Sequence, residues 1–578
     1  MQLLRPEYPR PQLRREKWLN LNGVWNFDFD DDNVGIKAQW QNTAPLKQNI
    51  NVPFAFQSAL SGINIKEMHD LVWYQRDFEI PADWEGQRVI LHFGAVDYRS
   101  WVWVNGCFVT FNEGGHTPFH ADITPYLNDG INSLVLRVED LSKDLFQPRG
   151  KQYWEEESAS IFYTRTTGIW QTVWLEPVPE VHLKQVWLTP DIDSLTLKAE
   201  YELGGAFAEG QVTLETEIRY QGESVLTVTH QADAAKVSQS YDLSESLHLW
   251  SPESPALYDL TVRVISRDGA VQDQVESYFG MRKISVENGK ICLNNQPYVM
   301  KLVLDQGYHP EGLLTFPTDE AYKQDIELTK AMGFNGARKH QKVEDPRYLY
   351  WADQLGLLVW GEMANAYDFS PTYVQRITAE WQVAMQRDYN HPCIVVWVPM
   401  NESWGVPALE QDSHQREHLT ALYHLTRSLD STRLVVSNDG WEHTHTDILS
   451  IHDYESKGEI LRERYATIDS TVVARPAKRA LFVGDYAYAG QPVLLTEYGG
   501  VAFRKNEQEG WGYSTATNDE EFATNLREIM QAVYASPVLQ GYCYTQLTDV
   551  EQEINGLLTY DRQPKIDLAL IAAINDGQ

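Results

Sequence analysis

The chain has 578 residues, 43% of them apolar, which is material for about three or four domains. Its 48 Lys and Arg face 81 Asp and Glu, a formal charge of −33 that argues against nucleic acid or an anionic membrane surface as partner and suits a neutral substrate. Cys107, Cys292, Cys393 and Cys543 lie far apart, in neither a disulfide framework nor a metal-ligand spacing; with no apolar run of signal-peptide or membrane-spanning length, we expect reduced thiols and a cytoplasmic protein.

Residues 1–178 carry short alternating runs, such as Gly23–Phe29, Val72–Phe78, Arg88–Phe93, Ser100–Val104 and Ser133–Val138, divided by turn pairs such as Asn105-Gly106 and Asp129-Gly130. That pattern predicts a jelly-roll β-sandwich. The Gly-rich segment Phe111–Phe119 reads as a tight structural loop. Residues 179–282 repeat the β pattern over about 100 residues and predict an immunoglobulin-like sandwich with no chemistry of its own.

From residue 283 to 578 strands and helices alternate. Strands are expected at Tyr298–Leu304, Phe334–His340, Leu357–Glu362, Cys393–Glu402, Leu434–Asn438, Ile448–Asp453, Pro492–Glu497 and Leu539–Gln546. Amphipathic stretches lie between most of them, one opening on Thr318 as N-cap and closing at Gly333. Eight such strands predict a (β/α)8 barrel, whose chemistry sits where strands end. The clearest of these ends is Cys393–Gly405, where an apolar run stops at Asn401, Glu402, Ser403 and Trp404; Pro492–Gly500 has the same shape around Glu497.

The strand ends supply Asp305, Gln306, His309, Arg338, His340, Glu362, Asn401, Glu402, Asn438, Asp439, His452, Asp453, Tyr454, Glu497, Gln546 and Asp549. No phosphate loop and no serine elbow is among them. His309, His340 and His452 could surround a metal, but lack metal-ligand spacing. Two carboxylates on opposite strands of one barrel, among aromatics, are what glycoside hydrolysis needs: one donates a proton to the leaving oxygen, the other attacks or activates water. We therefore expect no cofactor and no metal, and a carbohydrate as partner. A sugar-binding protein without activity is the rival reading, and intact Glu402 and Glu497 count against it.

Several motifs, in order along nearly the whole chain, resemble family 2 of the glycoside hydrolases. They are Leu21-Asn22-Gly23-x-Trp25, Val104-Asn105-Gly106, the segment 114–119, Gly168-Ile169-Trp170, Phe279-Gly280-Met281-Arg282, Asn390-His391-Pro392, Asn401-Glu402-Ser403, Thr496-Glu497-Tyr498-Gly499 and Asp561–Lys565. The resemblance implies that Glu402 is the acid/base and Glu497 the nucleophile of a retaining double displacement. It also implies that Asn401 meets the sugar 2-hydroxyl, that Tyr454 orients Glu497, and that Arg338 lies beneath Glu497. His309, Asp305, His340, Glu362, His452, Trp511 and Tyr544 complete the expected substrate-binding set, with Trp404 and Trp441 as further candidate walls. The family includes β-galactosidases, β-glucuronidases and relatives acting on galacturonides or arabinosides. The Asn-x-Lys motif of its glucuronidases is here Asn555-Gly556-Leu557, so the expectation leans to a β-galactoside, with Lys339, Lys342, Arg504 or Lys505 as cations that could serve a uronide instead. A homo-oligomer is expected.

Overall fold

The structure is a computed structural model that describes residues 4–208, 210–505 and 509–578. Two β-sandwiches precede a barrel. The first packs a six-stranded antiparallel sheet against a four-stranded one over a core that includes Trp25, Phe27, Tyr74, Leu91 and Leu136. Strand alternation sets this core: Val72 and Tyr74 of Leu71–Glu79 pair with Val138 and Leu136 of Ile131–Glu139, and all four are fully buried, as a period of two requires. The second sandwich has sheets of three and four strands, the seven-strand immunoglobulin-like arrangement.

Barrel strands β1 to β8 run Met300–Asp305, Gly336–Lys339, Leu358–Glu362, Ile394–Val398, Leu434–Val435, Leu449–Asp453, Val493–Gly499 and Leu539–Thr545. Their ladder is parallel and ordered β5-β4-β3-β2-β1-β8-β7-β6. Strand β4, Ile-Val-Val-Trp-Val, is buried at every position, because β-branched side chains on both of its faces have a core to enter. The expected fifth strand, Leu434–Asn438, is regular only at Leu434 and Val435. Beyond them the backbone still bonds across, from Val436 N to Trp397 O at 3.0 Å and from Asp439 N to Met400 O at 2.9 Å, while Asp447 N to Val435 O at 2.9 Å joins it toward β6.

Helices α1 (Asp319–Ala331), α2 (Pro346–Leu355), α3 (Pro371–Asp388) and α4 (Ser413–Leu429) follow the first four strands. Thr318 caps α1 by accepting from Ala321 N, and Ser370 caps α3 by accepting from Tyr373 N, with Pro371 at the first helical position. Gly333, at φ +83°, follows α1, the left-handed position that glycine fills without strain.

The first sandwich is locked to the barrel. Gly150 lies so close to the loop after β2 that a Cβ there would meet Gln341 O at 2.1 Å, and the amides of Arg149 and Gly150 both donate to Asn365 O. The Gly-rich segment does the same work: it turns between strands Cys107–Glu113 and Phe119–Asp122, so its first residues are strand rather than loop. Its His116 amide donates to Glu380 of α3 at 3.0 Å, and Gly115 O accepts from the Trp170 indole at 2.7 Å.

Candidate active site

Glu402 and Glu497 meet at the mouth. One oxygen of each, together with a ring nitrogen of His452, lie within 4.8 Å of one another. Glu497 is carried by β7 itself. Glu402 stands just past β4, on a backbone in the left-handed region, with φ +51° at Glu402 and +62° at Ser403. Neither residue is glycine, so each position costs on the order of 1–3 kcal/mol. The surroundings hold it: Glu402 N donates to Asp439 O at 2.9 Å, Ser403 N donates to Asn438 Oδ1 at 2.9 Å, and Ser403 Oγ donates to Glu442 Oε2. This twist turns the Glu402 carboxylate back toward β7, leaving its side chain 17% exposed and that of Glu497 6%.

Arg338 is the hub beneath them. Fully buried, its guanidinium lies 3.1 Å from Glu362, 2.7 Å from Asp439 and 3.0 Å from Glu497 Oε1. It also donates to Asn401 Oδ1 at 2.9 Å. That bond fixes the Asn401 amide with its Nδ2 buried and unbonded, a donor held ready for an oxygen the protein does not supply. Tyr454 donates to Glu497 Oε2 at 2.5 Å, and its ring stacks on Tyr513 with centroids 3.4 Å apart.

One cation against three acids leaves the cluster short of positive charge, and protons take up the difference. Burial pushes Glu362 up to about 7 although Arg338 pulls the other way. Burial opposes charge on His452, but Glu497 and Asp439 outweigh it and lift the imidazole to about 10. An imidazolium there donates Nδ1–H to Glu402 Oε1, 2.8 Å away. Asp439 is drawn up by burial and down, more strongly, by Arg338 and His452, to well below the usual carboxylate range. Its Oδ1 accepts from Thr496 Oγ1 at 2.7 Å, tying β7 to the segment after β5.

The remaining expected residues divide. His340 belongs to the floor, with Nδ1 2.9 Å from Glu362 and Nε2 4.0 Å from Glu497; burial lowers it well below its ordinary value. The Trp511 indole donates to Ser160 O at 3.0 Å and its ring meets Tyr513 edge-on. Trp404 packs with Phe162 and Tyr367, and Trp441 meets His452 edge-on.

Four expectations are corrected. Glu362 has a fully buried side chain beneath Arg338 and supports the site from below instead of touching sugar. Asp305 faces away from the mouth, paired with Lys339 at 2.6 Å and capping Gly307 N. His309 lies against Phe316 and accepts from Glu311 N. Tyr544 packs edge-on to Tyr498 and covers Gly499, on the helix side of β8. The cations held in reserve for a uronide are also committed: Lys339 to Asp305 and Glu344, Lys342 to Glu344, Lys505 to Asp519, while Arg504 lies 3.9 Å from Glu509.

Asp439 and Tyr513 were absent from the expected set. Asp439 was signalled only as one more acid at a strand end, and nothing in the sequence marks Tyr513. His309, His340 and His452 do not gather. Among the described residues the acidic–histidine groups close enough to share an ion are Glu402–His452–Glu497 and Asp353–His391–Cys393. A dication at the first would stand against the Arg338 guanidinium and the His452 proton. The second lies at the opposite end of the barrel with its polar atoms already paired: Asp353 accepts from Tyr278 OH and Cys393 N and contacts His391.

Residues 18–179 match the profile "Glycosyl hydrolases family 2, sugar binding domain", residues 181–282 match "Glycosyl hydrolases family 2", and residues 284–574 match "Glycosyl hydrolases family 2, TIM barrel domain". The chain belongs to glycoside hydrolase family 2. It is 27% identical over 83% of its length to a β-galactosidase of Lactococcus lactis, of which the match covers 47%. It is 25% identical over 85% of its length to a β-glucuronidase of Felis catus, of which the match covers 79%. The chain thus spans about half the length of the bacterial β-galactosidases it matches. A β-glucuronidase structure from an uncultured Clostridium superposes with a TM-score of 0.79 at 22% identity, covering 98% of this chain and 99% of that one. One from Ruminococcus gnavus superposes with 0.80 at 19% identity, covering 99% of each. At these identities the superpositions establish the three-domain fold.

Proposed function

We propose that the protein is a retaining exo-β-glycosidase that removes a terminal sugar by double displacement, with Glu497 as nucleophile and Glu402 as acid/base. The convergence of the two carboxylates carries this reading. An oxygen of each within 4.8 Å of the other favours the roughly 5 Å gap of retaining enzymes over the about 6.5–9.5 Å by which an inverting enzyme separates its carboxyls to admit water.

The chemistry follows from the contacts. Arg338 and Tyr454 hold both Glu497 oxygens and so aim the nucleophile at the anomeric carbon. Glu402, anchored through Oε1 by His452, keeps its other oxygen for the glycosidic oxygen: it protonates the leaving group, then takes a proton from water in the second step. Asn401 Nδ2, buried and unbonded within the protein, would bond the hydroxyl next to the anomeric carbon, a contact that strengthens as positive charge develops on the ring.

The relatives include both β-galactosidases and β-glucuronidases, so the substrate is a β-galactoside or a β-uronide. Aryl β-glycosides of both kinds, with the first-formed sugar followed by proton NMR, test the reading. The β-anomer should appear first; first appearance of the α-anomer would exclude retention.

A further inference from the structure

The first sandwich brings a charged side chain, Lys151, to the ring of Trp404 at the barrel mouth, and the mechanism leaves it unused. Lys151 follows Gly150, the residue wedged against Gln341 O, and is 7% exposed. Its Nζ lies 5.2 Å from the centre of the Trp404 ring, two residues past Glu402. Among the described residues no carboxylate stands within ion-pair distance of it. The buried Glu553 carboxylate feels its charge, but both Glu553 oxygens are engaged, Oε2 by Tyr163 OH at 2.5 Å and Oε1 by Asn555 Nδ2 at 3.0 Å. The same cation bears on His340, which is 4.0 Å from Glu497. A buried lysine without a counter-ion is costly, and the buried lysines of the barrel, Lys339, Lys342 and Lys565, each have one, with Lys342 also wrapped by carbonyls. An uncompensated cation beside the catalytic pair is therefore a place for a negative charge that arrives with the substrate.

We propose that Lys151 is the specificity-determining residue of the glycone pocket, and that it receives the carboxylate of a uronic acid. This rests on the glycosidase reading above and names its substrate class. The pocket is then built by two domains: the barrel cuts the bond, and the segment 149–163 of the first sandwich selects the sugar. Trp404 serves as the apolar floor over which the lysine is held.

The test pairs 4-nitrophenyl β-glucuronide with the β-glucoside, and the β-galacturonide with the β-galactoside, on wild type, Lys151→Met and Lys151→Arg. Wild type should favour the acid of at least one pair. Loss of one charge-assisted bond should lower kcat/KM of Lys151→Met on that acid by roughly 10- to 100-fold, with the neutral partner changed less than about threefold and Lys151→Arg recovering part of the loss. Turnover confined to the neutral sugars, or an equal loss on acid and neutral sugar, overturns the assignment of Lys151 and leaves the mechanism standing. Absence of turnover on all four, in a folded protein, removes both.

Discussion

Arg338 and Lys339 are consecutive residues of one short strand, both buried, and each is the hub of a carboxylate cluster. Arg338 points along the barrel axis to Glu362, Asp439 and Glu497. Lys339 points the other way, to Asp305 and Glu344, with its Nζ 4.1 Å from the Tyr348 ring centre on α2. Alternation along a strand puts them on opposite faces, and charge balance gives them opposite fates. On the helix side, Lys339 and Lys342 match Asp305 and Glu344 one for one, and burial of Glu344 is outweighed by the two lysines, which hold it at about 2. On the axis side one arginine faces three acids, so protons must join, on Glu362 and His452. The matched cluster is a brace; the unmatched one holds Glu497 where it faces Glu402.

The largest effect that separates them is on turnover. Glu497→Gln should lower kcat/KM by roughly 10⁴-fold or more on every glycoside, as loss of a nucleophile does, and wild-type-like rates would remove the residue from the mechanism. Next, Arg338→Met strips three buried acids of their cation and should cost about 3–5 kcal/mol of stability in urea titration, together with activity. Lys339→Met should also destabilise, but its folded fraction should keep kcat/KM within about threefold on an aryl glycoside, since Lys342 still faces Glu344 and nothing in the mouth moves. Equal loss of activity per folded molecule in both variants would erase the distinction between brace and site.

The smallest effect concerns the seam between the domains. Buried Glu380 of α3 accepts from His116 N, and burial raises it to about 8. An acid whose folded value exceeds its unfolded value near 4.5 favours folding when protonated, so this contribution is full below about pH 4.5 and is lost as pH rises toward 8. Glu380→Gln mimics the protonated form. Its melting temperature should fall less than that of wild type between pH 5 and 8; parallel profiles would show that Glu380 does not titrate at the seam.

Much of this was legible in the sequence because it is local. The run Ile394–Val398 is apolar on both faces and Glu402 interrupts its extension. Thr318 and Gly333 bracket α1. What stayed hidden depends on facing. Asp305 and Glu402 are both acids at strand ends, and only the direction of Lys339 shows that Asp305 serves the brace. Tyr544 sits next to Cys543, whose surroundings of Arg338 and Glu497 mark the axis side, so alternation sends the tyrosine outward to α5 (Asp519–Ala535). Lys151 had no local signal, because docking between domains brings it beside Trp404, some 250 residues along the chain.

The most direct test of the two-carboxylate account is to trap the covalent intermediate. An activated 2-deoxy-2-fluoro β-glycoside of an accepted sugar should inactivate the enzyme with one equivalent bound, and peptide mass spectrometry should place the sugar on Glu497. Attachment to any other residue, or turnover with no covalent species under conditions that slow the second step, would contradict the account.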